Sequence, residues 1–251
     1  MTDPHDPSSS SATPVPGRRA FLLGLASLAP TLAVGLWLPG CARQPTDPGH
    51  ARARTVDTLD QYRTVYFTED EWRFLLAACD RLIPGDAVGP GALAAFVPIF
   101  IDRQMAGDYG EGASWYLQGP FDPTAGADRG YQLGLKPKEV YRLGIGQTQD
   151  HCRATLGKPF HELDEATRDK VLTDLEAGHI TLPGLPAATF FATLLQNAKE
   201  GYFADPLHGG NKDMAAWKMI GYPGARASYL EWVEQYQTPY PLGPVSIAGA
   251  R

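Results

Sequence analysis

The chain has little cysteine, three residues in 251. They stand at positions 41, 79 and 152, too far apart for an iron–sulfur cluster or a Cys-x-x-Cys-His haem attachment. No Gly-x-Gly-x-x-Gly run follows a strand pattern, which excludes a Rossmann flavin or nicotinamide site. Gly144-Ile145-Gly146 falls inside a helical pattern, where close helix packing explains it. No Gly-x-x-x-x-Gly-Lys is present, so there is no P-loop. His161-Glu162 lacks the second histidine one turn on that a zinc-protease helix needs. His151 and Cys152 are helix neighbours pointing about 100° apart, so they do not form a nucleophile pair. No basic stripe follows residue 55, and the net charge is −6 with a pI near 5.5, so nucleic acid is not an expected partner. No segment sustains the period-two alternation of a half-buried strand.

What is present reads as helix and punctuation. The apolar share of 43% and the charged share of 20% are globular values. Twenty-two prolines and 27 glycines break the chain into short helices and substantial loops. Thr68-Glu69-Asp70-Glu71 is a capping box, followed by Trp72, Leu75, Leu76, Cys79, Leu82 and Ile83 on one stripe, and Pro84-Gly85 stops it. Gly91 to Met105 holds a second apolar set with Pro98 inside it, predicting a kink or a helix start there. Residues 107–135, rich in glycine and aromatics, form a long ordered loop. Pro137 opens a helix to Leu156, and Asp164 caps one running to Glu176 with Gly178 at its end. Pro186 opens another that closes at Gly201. Asn211 caps a short helix from Lys212 to Ile220, and a last helix spans 226–236. The expectation is an all-α fold: a compact irregular helical domain over 66–237, with about six to seven short helices. Residues 43–65 read as a linker and 238–251 as a flexible C-terminal tail.

The N-terminus carries an address. Arg18-Arg19 precedes an uncharged run from Ala20 to Gly40 and follows a polar, proline-rich stretch. Gly17-Arg18-Arg19-Ala20-Phe21-Leu22 resembles a twin-arginine export signal, although Gly17 stands where Ser or Thr is common and Leu23 where lysine is frequent. That route implies a periplasmic destination for cargo folded before it crosses. The run is long enough to span a bilayer, but its moderate hydrophobicity, Pro30 and the small-residue end at Pro39-Gly40-Cys41-Ala42 favour cleavage. Residues 1–42 are thus a signal peptide. Leu38-Pro39-Gly40-Cys41 resembles a lipobox, in which Cys41 is lipidated; cleavage after Ala42 by ordinary signal peptidase is the alternative. In an oxidising compartment Cys79 and Cys152 either pair or stay as two buried thiols.

The most distinctive segment is Gly201-Tyr-Phe-Ala-Asp-Pro-Leu-His-Gly-Gly-Asn-Lys-Asp-Met-Ala-Ala-Trp-Lys-Met-Ile-Gly-Tyr-Pro-Gly224. Gly209 and Gly210 permit positive φ and close backbone approach, and Asn211 and Asp213 suit a helix start. It reads either as a rigid turn docking one helix on the core or as a surface for another protein chain. On the second reading the partner-facing residues are Tyr202, Phe203, Asp205, His208, Gly209, Gly210, Asn211, Trp217 and Tyr222. Trp217 has a competing role as core filler, and the expected exposure is strongest for Tyr202 and His208.

This segment resembles the signature of the gluconate 2-dehydrogenase subunit 3 family, the small subunit of membrane-associated flavin-dependent sugar and sugar-acid dehydrogenases. The block from Thr68 to Pro84 and Phe100-Ile101-Asp102-Arg103-Gln104 resemble the family's earlier blocks. The resemblance implies a non-catalytic helper with no catalytic, metal or cofactor residues of its own. Its partner would be a large FAD-dependent subunit, with haem c in a multihaem cytochrome c subunit where the complex has one. It further implies help in maturation and export of the flavoprotein, and membrane association through the partner or a lipid. The rival reading is a free-standing exported enzyme or lipoprotein with an unrecognised active site.

Overall fold

The computed structural model describes residues 57–249 apart from residue 123. Arg18, Arg19 and Cys41 lie outside the described residues. Six α-helices carry the fold: α1 (Glu69–Leu82), α2 (Val97–Ala106), α3 (Pro137–Leu156), α4 (Glu165–Glu176), α5 (Ala187–Phe203) and α6 (Ala215–Ile220). Among the described residues there is no β-strand, only an isolated bridge between Gly224 and Val245. The domain is all-α. No helix of the described residues is long and apolar enough to cross a membrane.

Local chemistry sets the helix ends. In α1 the Thr68 hydroxyl accepts from the Glu71 N–H while the Glu71 carboxylate accepts from the Thr68 N–H, so two of the four orphan donors at the helix start are satisfied reciprocally. Asp164 caps α4 by accepting from Thr167 N–H at 3.0 Å. Pro98 sits in the first turn of α2, where its missing N–H costs nothing, so the helix starts there and does not kink. Helix α5 runs on past Gly201 to Phe203. Gly201 lies inside the helix, where a side chain would meet the Phe100 ring of α2.

Helices α1 and α5 each pack against all of the other four long helices, so they form the centre. An aromatic spine joins them: Phe74 of α1 lies 4.7 Å from Phe160 and 6.2 Å from Phe190 of α5, and Phe190 meets Tyr141 of α3 edge-on. The Phe190 ring occupies the space where a Gly144 side chain would stand, so the expected packing role holds for Gly144; Gly146 faces open space. The buried stripe of α1 is centred on Phe74, Leu75, Ala78 and Cys79; Trp72 and Leu76 flank it, half-buried. Cys79 and Cys152 are free, buried thiols, so of the two states open at the sequence level the structure carries the unpaired one. Burial pushes both thiols up, Cys152 to about 11.

Polar ties fix the helix arrangement. Arg81 of α1 grips Asp169 of α4 through two nitrogens at 2.8 and 2.9 Å and also reaches Glu165. Asp102 of α2 is fully buried and accepts four hydrogen bonds, from the Tyr62 hydroxyl and the backbone N–H groups of Val65, Tyr66 and Phe67. The end of the presumed linker is thereby part of the domain, because a buried carboxylate needs donors and residues 62–67 provide them.

Two further expectations are corrected. The helix expected over 226–236 is a single 3-10 turn, Leu230–Trp232. Its apolar positions Leu230, Val233 and Tyr236 stay in solvent, and a short helix without a packed face has little to hold it. Instead the segment folds on its own rings, with Tyr240 edge-on to Tyr229 and Trp232 and the Arg226 guanidinium over its face. The C-terminal tail is not loose either. Val245 pairs with Gly224, and Ser246 is buried.

Candidate partner-docking site

The signature segment folds as a chain of interlocking backbone pins. Helix α5 ends when Ala204 turns extended, and Asp205 caps the next turn, Pro206–His208, by accepting from Leu207 N–H at 2.9 Å. Gly209 then takes φ +105° against the flank of Arg103 and Ile99, and Gly210 lies with its backbone against that of Gly201. A side chain at Gly210 would collide with the Gly201 carbonyl, so the glycine pair lets the returning chain lie directly on α5.

Asn211 is the keystone. It is fully buried at φ +45°, its amide nitrogen donates to the Ala204 carbonyl and its amide oxygen accepts from Ala216 N–H, both at 2.9 Å. It therefore does not cap the first helical residues as the sequence suggests; it ties the end of α5 to the start of α6 across the loop. Asp213 and Met214 also have positive φ. Such conformations cost non-glycine residues about 1–3 kcal/mol each and persist only where neighbours over-determine them. The Asn211 bonds and the Lys212 N–H to Ala95 carbonyl bond at 3.1 Å do so here. The expected helix from Lys212 accordingly splits into a 3-10 turn, Lys212–Met214, and α6.

Trp217 of α6 is 6% exposed, and its indole N–H donates to the Phe203 carbonyl at 2.8 Å. Its core role wins. Tyr202 is also internal, 4% exposed, with its hydroxyl donating to the Pro90 carbonyl; this reverses the expected exposure. Burial in the first place, and Asp86 after it, push its phenol up. Asp205, Gly210 and Asn211 are buried too, and Gly209 is half-buried. The predicted residues that do face solvent are Phe203, His208 and Tyr222, with Tyr222 packed edge-on over Trp217 at 5.1 Å.

The sequence reading missed their neighbours. Leu207 and Ile220 are exposed beside them. Of the 13 large hydrophobic side chains exposed among the described residues, nine lie between Phe203 and Ile247. The signal was available: Leu207 stands inside a polar turn and Ile220 directly before the closing Gly221, two places where a core residue is not expected. No group of three or more His, Cys, Asp or Glu among the described residues is placed to hold a metal ion. A depression of about 590 Å³ elsewhere is lined by Asp122, Ala125, Gly126, Arg129 and Gln132 of the long loop, but its carboxylate is already engaged by the Thr124 hydroxyl and N–H.

A rigid scaffold with outward apolar side chains suits a subunit interface. Residues 69–224 match the family model described as gluconate 2-dehydrogenase subunit 3. The chain belongs to this family. The match begins with the first residue of α1 and ends at Gly224, where the chain pairs with Val245. No curated protein and no solved structure matches the chain significantly. As a gluconate 2-dehydrogenase subunit 3, the protein is of a type that works alongside partner subunits.

Proposed function

We propose that this gluconate 2-dehydrogenase subunit 3 is the non-catalytic small subunit of a flavin-dependent, membrane-associated dehydrogenase that oxidises a sugar or sugar acid. It binds the large FAD-carrying subunit, supports its maturation and takes it to the periplasm through the Arg18-Arg19 signal. A multihaem cytochrome c subunit, where present, receives the electrons. The family match supports the subunit role, and the observation that carries the docking surface is the concentration of exposed apolar side chains around Phe203, Leu207, Ile220 and Tyr222. These side chains project from a segment whose buried polar groups are satisfied within the chain, so docking would bury apolar area without stranding a donor.

The test is co-expression with the FAD-dependent large subunit. The tagged wild-type chain should recover it at fixed stoichiometry, and Phe203→Asp with Tyr222→Asp should abolish recovery while the melting temperature falls by no more than a few degrees. Replacing Arg18 and Arg19 by lysine should leave both subunits in the cytoplasm. Dye-coupled sugar oxidation by the isolated chain, or normal export of the flavoprotein in the lysine variant, would contradict the proposal.

A further inference from the structure

Beyond the family-matched span the chain makes an excursion and returns. It leaves at Gly224-Ala225 and comes back at Val245-Ser246, and the two ends are fastened together. Ala225 N–H donates to the Val245 carbonyl at 2.7 Å, and Val245 N–H donates to the Pro223 carbonyl at 3.3 Å. Asp205 adds a second fastening: one carboxylate oxygen accepts from the Ser246 hydroxyl and the other from Ile247 N–H, both at 2.7 Å. Asp205 and Ser246 are both buried, so the bond between them is an interior one, and the Ile247 bond lies at its edge.

The excursion itself is the opposite of buried. Leu230 is 82% and Tyr236 78% exposed, with Val233 and Leu242 exposed beside them. No described residue covers these side chains, yet the loop that carries them is shaped by the Tyr229–Tyr240–Trp232 ring cluster and by the Tyr229 hydroxyl bond to the Gly224 carbonyl at 2.5 Å. A closed base and a ring-packed interior hold four apolar side chains outward on a loop whose ends cannot drift apart. Fastening the ends removes conformational freedom that a free tail would lose on binding.

We propose that residues 226–243 are a latched docking loop, held closed by Asp205, that inserts Leu230 and Tyr236 into an apolar groove of the partner large subunit. The inference rests on the subunit reading above and extends its surface past the family-matched region. In the chain the loop follows the Phe203–Tyr222 segment directly, through Pro223 and Gly224. Asp205 is a positioning residue: it acts through the returning segment at Ser246 and Ile247.

The experiment uses the full chain co-expressed with the FAD-dependent large subunit, with two readouts. Leu230→Asp with Tyr236→Asp should lower the affinity for the large subunit about tenfold or more, since truncating central apolar anchors costs at least that much. The melting temperature of the free chain should not change, because both side chains are exposed. Asp205→Asn and, separately, Ser246→Ala should speed amide exchange at 245–248 in the free chain and weaken association by a smaller factor. If Asp205→Asn fails to fold, Ser246→Ala carries the latch test alone. Native stoichiometry with Leu230→Asp and Tyr236→Asp, alongside loss of binding in Phe203→Asp with Tyr222→Asp, would overturn the loop and leave the subunit reading standing. Full binding in both double variants would overturn both. Unchanged exchange at 245–248 in both latch variants would overturn the role of Asp205.

Discussion

In the five-helix core the aromatic side chains meet in a chain: Phe160, Phe74, Phe190 and Tyr141 are fully buried, each ring paired with the next. Beyond Phe203 the balance reverses. Trp217 turns inward to close the segment, while Phe203, Tyr222, Leu230 and Tyr236 turn outward. The two regions are also fixed by different forces. Apolar burial holds the core, with ion pairs such as Arg81–Asp169 setting its register. The C-terminal region is fixed by single polar side chains, Asn211 bonded to two residues and Asp205 to three. A region pinned by hydrogen bonds keeps its apolar side chains free for another molecule; a region pinned by burial has already used them. That contrast is what favours the second region as the proposed docking surface.

The largest effect should come from the core. Phe190→Ala removes a ring that touches α1 and α3 and fills the space left by Gly144, so a loss of about 3–5 kcal/mol is expected in denaturant titration. Next comes Asn211→Ala. It strands a buried N–H at Ala216 and a buried carbonyl at Ala204, and places alanine at positive φ, for about 2–4 kcal/mol together. Asn211→Gly should recover only the backbone share. If Asn211→Ala cost as little as a surface change, the claim that hydrogen bonds fix this region would fall.

Tyr222→Ala should move stability least of these, by about 0.5–1.5 kcal/mol, the worth of its edge contact with Trp217. Its effect on recovery of the large subunit should be much larger than its effect on melting. For Phe190→Ala the order is reversed, and measuring both quantities on both variants gives the comparison its sharpest form.

The core was legible because its signals are local. Capping at Thr68 and Asp164, Pro137 at a first turn and apolar spacing of three and four all act within one helix, and they located α1, α3 and α4. The failures share a cause. Tyr202 looks like a docking aromatic in sequence, but its hydroxyl bonds the Pro90 carbonyl and meets Met219, both brought in by the fold; for Trp217 the core role, left open in the sequence, is the one the fold takes. Residues 226–236 have helical spacing but no packed face, and spacing alone does not say whether a partner surface exists. Asn211 reads as a cap because Asn often is one, yet its bonds run five and seven residues away. Asp205 and Ser246, 41 positions apart, leave no periodic trace at all.

The latch makes a last, smaller prediction about pH. Burial pushes the Asp205 carboxyl up, but the Ser246 hydroxyl, the Ile247 and Leu207 N–H groups and nearby His208 more than offset it, and the net shift is downward. A carboxylate held below its unfolded value contributes stability that is complete above the unfolded pKa, about 3.9, and is lost as pH falls through the lower folded value. Other carboxylates are held down as well, among them Asp164 by Thr167, Asp169 by Arg81, and Glu111, lowered to about 2 by Lys138 and Lys136. Global acid unfolding therefore overlaps the local event, and a melting curve will not separate them. The Ile247 amide does. Its protection, corrected for intrinsic exchange, should be flat from pH 7 to 5 and fall only in the acid limb. In Asp205→Asn it should be low throughout, with the acid limb gone. Protection that began to fall near pH 6 in the wild type would mean that a group other than the Asp205 carboxyl opens the latch, and Asp205 would lose its place as the keeper.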